Sequence, residues 1–252
     1  MKEFSVSMAL VDFLPVLLFA VAVVLLQRDL YNKMSKGAFA LFAAGTIDIV
    51  IAGTLKALYK LLYALSVCDF ASLSNLFFPL QSIGALPAGI GIIAMLTHRQ
   101  TEARAAIAAP AAFSGTFLFV GLMIAGFGCL TLGLIPLAKK LKKPAAIVLL
   151  IVAFVLLLGM GYLSSKSFER AALNWLAEGV NILAQASFLL AALILHRAGL
   201  KALSRNDRFL RESILSKLTC DDKSQGSLLL CLFDFQRPLI GFGLLLFRKR
   251  QL

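Results

Sequence analysis

Four polar residues recur along one apolar segment: Asn174, Glu178, Asn181 and Gln185, at spacings of four, three and four. At about 100° per residue, a helix gathers them into a stripe roughly 60° wide. Most of their neighbours are Leu, Ala, Ile, Val and Phe. A polar group in hydrocarbon must find partners, so the stripe is expected to face a bundle interior or a wet cavity. Glu178 is the residue singled out first, because a sheltered acid suits proton or cation handling. A structural reading stands beside this one. Asn and Gln commonly hydrogen bond across membrane helices, at about 0.6–2 kcal/mol each.

Two more acids lie within apolar runs. Asp48 is flanked by Gly45, Thr46, Ala52, Gly53 and Thr54. Such small neighbours permit close helix approach, which would let Asp48 meet Glu178 or an Asn of the stripe as a shared-proton pair or a cation site. Asp12 stands one turn before Pro15 and is expected nearer a membrane interface, where its cost falls. The candidate ligand- or ion-binding set is therefore Glu178, Asn181, Gln185, Asn174 and Asp48.

Other chemistries lack their motifs. There is no Walker loop, HExxH, GxSxG or within-helix DxxxD cluster. Cys68, Cys129, Cys220 and Cys231 form no CxxC pair, and His98 and His196 stand just past the ends of apolar segments as interfacial residues. No catalytic residue, metal or cofactor is assigned, and the enzyme reading is disfavoured.

The elements that must position these residues follow from composition. Of 252 residues, 60% are hydrophobic and 15% charged. Soluble domains are nearer a half and a quarter. Long apolar stretches alternate with short basic connectors, as in a multi-pass membrane protein. The expected fold is all-α, a polytopic transmembrane bundle of six helices. They cover Phe4 to Leu26, Gly37 to Leu55, Phe77 to Thr97, part of Ala111 to Ala138, Pro144 to Leu163, and Ala171 to Leu195. The first is read as an uncleaved helix, because its hydrophobicity continues past the small-x-small site at Ala20 to Ala22.

Details within these segments carry further expectations. The third contains GALPAGIG after Gln81; a break at Pro87 and its glycines is one way to build a substrate site, and the preferred reading is a kink packed by a neighbour. Gly121, Gly126, Gly128 and Gly133 of the fourth read as packing. KALYKLLYAL, after the second, fits either a short interfacial helix or a long second helix with snorkelling Lys56 and Lys60.

Three regions result. Residues 1–197 form the bundle. Residues 198–226 form a basic amphipathic helix suited to the cytoplasmic leaflet. Residues 227–252 form a hydrophobic tail, and Asp234 and Arg237 at its centre favour a surface-bound or re-entrant segment over a seventh helix.

The net charge of +12 is placed mostly at segment ends, so anionic lipid headgroups are the expected partner and nucleic acid is not. With alternating helices, twelve basic residues fall on the face of the N-terminus and seven on the other. Both termini are then expected in the cytoplasm of a plasma-membrane protein, with Ser35 and Leu141 on opposite faces. The leading functional expectation is binding or transport of a small solute, ion or proton in a cavity around Glu178. The alternative is a sensor or assembly subunit packing a membrane-protein partner. A membrane-embedded lipid enzyme is third.

Overall fold

A computed structural model describes residues 5–67, 71–97, 116–164 and 171–203. They form an all-α helical bundle. The chain divides into two units, residues 1–207 and 208–252, and everything described belongs to the first. The expected amphipathic helix, apart from residues 198–203, and the whole of the expected tail therefore lie outside the described residues.

The first apolar run forms α1 (Val6–Val11) and α2 (Phe13–Leu30), interrupted at Asp12. Pro15 is the cause. It has no N–H for the Val11 carbonyl four residues back, so the helical ladder is broken beside Asp12. α3 (Lys36–Ala64) is one continuous helix of 29 residues. It absorbs the KALYKLLYAL stretch, which decides against a separate interfacial helix. The chain continues through α4 (Ala71–Thr97), α5 (Thr116–Leu132), the short α6 (Ile135–Lys140), α7 (Pro144–Ser164) and α8 (Ala171–Arg197). Pro79 and Pro87 are accommodated inside α4 without ending it.

Among the described residues, five stretches are long and apolar enough to cross a membrane: Val6–Leu30, Lys36–Ala64, Leu76–Thr97, Phe119–Lys140 and Leu173–Arg197. A shorter apolar stretch, Pro144–Met160, makes the sixth member of the bundle. Large apolar side chains point outward, which is the reverse of a soluble core. On α8, Leu176, Leu183 and Leu190 are exposed, while Asn174, Glu178 and Gln185 on the opposite side are buried. This is the build of a membrane-embedded helical protein.

Direction is set by glycine contacts. Gly45 and Gly84 bring α3 and α4 together backbone to backbone; a Cβ at Gly84 would lie 2.7 Å from the Gly45 carbonyl oxygen. Gly91 of α4 meets Ala38 and Phe42 near the start of α3, so this pair is antiparallel. Between α4 and α5, Gly126 abuts Ala85 and Leu86, Gly89 faces Cys129, and Gly133 faces Ile92. Residue numbers rise together, so α4 and α5 run parallel, with Thr97 and Thr116 at opposite ends of the bundle.

Alternation of consecutive helices therefore fails at this one junction. Ser35 and Leu141, expected on opposite faces, lie at the same end, where Lys140 is close enough for its charge to act on Lys33. α2 and α8 are parallel as well. Asp12 meets Glu178 at one end of the pair, and Asp29 meets His196 at the other. The described chain thus starts at one end of the bundle and finishes, at Arg197, at the other.

The finishing end is strongly basic. It carries Arg28, Lys33, Lys36, the KKLKK run, Arg197 and Lys201. Lys33 knits it together, donating from Nζ to the carbonyl oxygens of Lys201 at 2.9 Å and Leu203 at 2.6 Å. Burial holds the Lys33 ammonium below the usual lysine range; Asp29 opposes that shift and Lys140 adds to it. Two chain reversals complete this end. α8 stops at Gly199 with φ of 83°, and α6 turns into α7 through Lys142 with φ of 54°.

Candidate functional site

At the opposite end, three interior charges converge. Lys60 Nζ lies 2.7 Å from Asp12 Oδ2 and 3.8 Å from Glu178 Oε2. Asp12 is 6% exposed and Glu178 is 4% exposed. The Asp12 and Glu178 side chains are also within hydrogen-bonding reach of each other. Two carboxyl groups make an attractive contact at that range when a proton lies between them. Among the described residues, Glu178 Oε1 is buried without a hydrogen-bond donor.

Local sequence explains the convergence. Pro15 interrupts the helix beside Asp12, and Gly53 of α3 seats against Val16 of α2. One and two turns beyond Gly53, on the same side of α3, come Lys56 and Lys60. The polar face of α8 supplies Glu178 at matching depth. Charges in hydrocarbon are tolerated when they find one another, and the bundle brings together the acids and cations of three helices.

Beside the triad lies a cleft of two adjoining cavities, of about 70 and 60 Å³. Both are lined by Lys56, Gln81, Asn181 and Gln185, together with Phe77 and Phe127. Asp12 borders the smaller cavity. A water needs roughly 10–15 Å³ of such space and two to four polar partners, so each cavity has room for several water-sized groups. The Lys56 ammonium sits 4.1 Å from the centre of the Phe77 ring. Lys56 forms no ion pair among the described residues, although its charge reaches both Asp12 and Glu178.

Of the candidates from sequence, Glu178, Asn181 and Gln185 come together here. Asn174 is buried one turn from Glu178 toward the start of α8. Asp48 does not join them. It is half-buried against Gly84 of α4, about 18 Å along α3 from Lys60 at 1.5 Å per residue. The carboxyl partner of Glu178 is Asp12, which sequence reasoning had placed near an interface.

Lys60, Lys56 and Gln81 were missed as site residues. A signal for the lysines was present. Gly45, Ile49, Ala52 and Gly53 mark the packed side of α3, and continuing that side by helical spacing leads to Lys56 and Lys60.

A second polar cluster sits at the basic end. Asp29 is 2% exposed, and its Oδ2 lies 2.8 Å from His196 Nδ1. Arg28 Nη2 approaches His196 Nε2 at 3.4 Å. His196, expected as a bystander at the interface, is thus the partner of a buried acid. Comparison with protein-family models, with curated proteins and with solved structures finds no match to this chain.

Proposed function

We propose that this is a membrane protein that binds or transports a small polar solute or ion, with the cleft beside Glu178 as its recognition site. One observation carries the reading: a buried carboxyl pair with its lysine adjoins a cleft that also holds Lys56 and three side-chain amides. Structural glue alone calls for polar groups that satisfy one another. Here Gln81, Asn181 and Gln185 instead border open space, where a solute can complete their hydrogen bonds. The plasma membrane is the proposed setting. We infer that the basic end faces the cytoplasm, because positively charged connectors are retained there and suit its anionic leaflet.

The test is accessibility. In a background with the native cysteines replaced, Asn181→Cys in proteoliposomes should react with a small charged methanethiosulfonate. Leu183→Cys, on the outward face at 59% exposure, should stay inert in the lipid. Equal inertness at both positions would mean a dry, closed interior, and the solute-binding reading would fail.

A further inference from the structure

We infer that the cleft takes a small monocarboxylate anion, and that a proton on the Asp12–Glu178 pair binds together with it. This rests on the solute-binding reading and gives it a substrate class. Charge balance is the argument. The site contains two carboxyl groups and two amines, and two carboxyl groups gathered on one lysine at membrane depth are cheapest to bury when they share one proton. With both amines charged, the proton-loaded site has a single net positive charge. One monoanion neutralises it. The same anion in the deprotonated site would leave an uncompensated negative charge at membrane depth, which is costly. Proton and anion therefore favour each other's binding, and the coupling is reciprocal.

Position supports the assignment. Lys60 is engaged with the carboxyl pair, whereas Lys56 lines both cavities and has a ring beneath it rather than a carboxylate. An ammonium in that situation attracts an anion. The amides of Gln81, Asn181 and Gln185 can donate to the carboxylate oxygens, and Phe77 and Phe127 offer an apolar wall to a short alkyl body. The groups that act on Glu178 are Asp12, at the junction of α1 and α2, and Lys60 and Lys56 of α3. Gln81 is the polar contribution of α4, while α5 and α7 line the cavity with apolar side chains such as Phe127 and Phe154.

The experiment uses the purified full-length chain and reads thermal stabilisation by circular dichroism. Sodium propionate, sodium chloride and propionamide are compared from pH 5 to pH 8. Propionate should stabilise, whereas propionamide and chloride should not. Its affinity should fall about tenfold per pH unit across the range where the shared proton is lost, as one-to-one linkage requires. Lys56→Met should abolish the propionate effect at every pH. Glu178→Gln fixes the neutral form, so its propionate affinity should lose the pH dependence. Equal stabilisation by propionamide or chloride, or a propionate effect that survives Lys56→Met, overturns the carboxylate assignment. A pH-independent wild type overturns the proton linkage. If propionate has no effect while Asn181→Cys is reactive, the cleft stands as a solute site and the anion assignment alone falls. If Asn181→Cys is inert as well, both fall.

Discussion

Lys60 answers two carboxyl groups in the interior, and its removal measures what the triad is worth. Breaking a buried pair by deleting one partner typically costs about 3–5 kcal/mol, because the other charge is left uncompensated. Lys60→Met should therefore lower the unfolding free energy by about 3 kcal/mol in mild detergent. Adding Asp12→Leu should return part of that loss, since it removes the charge Lys60 was balancing. A Lys60→Met protein as stable as the wild type would mean that the distances at the triad carry no interaction energy. Only the α8 side of this site was legible in the sequence. The spacing on α8 revealed Glu178, Asn181 and Gln185 because a helix period is a local property. The partner of Glu178 was not legible, because Asp12 and Asp48 are both acids in apolar runs. Only the three-dimensional packing distinguishes the one that meets α8 from the one that meets α4. Lys56 and Lys60 were hidden for another reason. Long amphipathic side chains near a helix end can snorkel outward or turn inward, and composition does not choose between these.

Between elements, the tightest dependence is on glycine where α4 meets its neighbours. A Cβ at Gly89 would stand 2.6 Å from the Gly126 carbonyl oxygen, and one at Gly84 would meet backbone on α3. Contacts of this kind leave no room for a side chain, and the neighbour is backbone that cannot step aside. Gly84→Leu should separate α3 from α4 and reduce stability by at least the 1–3 kcal/mol typical of overpacking. Gly121→Leu has no atom of the described residues within 4 Å of the added Cβ and should be tolerated. Comparing the melting of the two variants checks the assignment, and similar losses would contradict it. Gly126, Gly128 and Gly133 were rightly read as packing, whereas Gly121 meets no neighbour among the described residues and the α4 glycines, read as a kink, are packing positions too. Which helices they join was not legible, because a glycine has no chemistry that names its partner. The αL residue Lys142 gives the opposite sign. Glycine adopts that backbone without the steric cost of a Cβ, so Lys142→Gly should stabilise the α6–α7 turn by up to about 1 kcal/mol, read as a raised melting temperature.

For the whole molecule, the apolar segments announced a helical membrane bundle because a run of about 20 apolar residues has few other uses. Direction was harder. Counting crossings treats every connector as a turn, and that assumption fails between α4 and α5. The KKLKK run consequently moves to the face that holds Lys33, and the charge asymmetry sharpens. Cysteines placed at Ser35 and at Leu141 should therefore behave alike toward an impermeant thiol reagent in intact cells. With the basic end inside, both should be protected. Reaction at one position and protection at the other would restore the alternating arrangement and reject the parallel pair. Reaction at both would keep the pair and invert the inferred orientation.

The parallel α4–α5 pair also constrains how the molecule is made. α2 with α3, and α7 with α8, are adjacent antiparallel partners, so each pair can enter the bilayer as a hairpin. The backbone contact between α4 and α5 cannot arise that way. α4 can settle against α3 as soon as it is synthesised, but its Gly89 side stays bare to lipid until Gly126 emerges from the ribosome. During that interval a groove of glycine and alanine is open on a half-built protein.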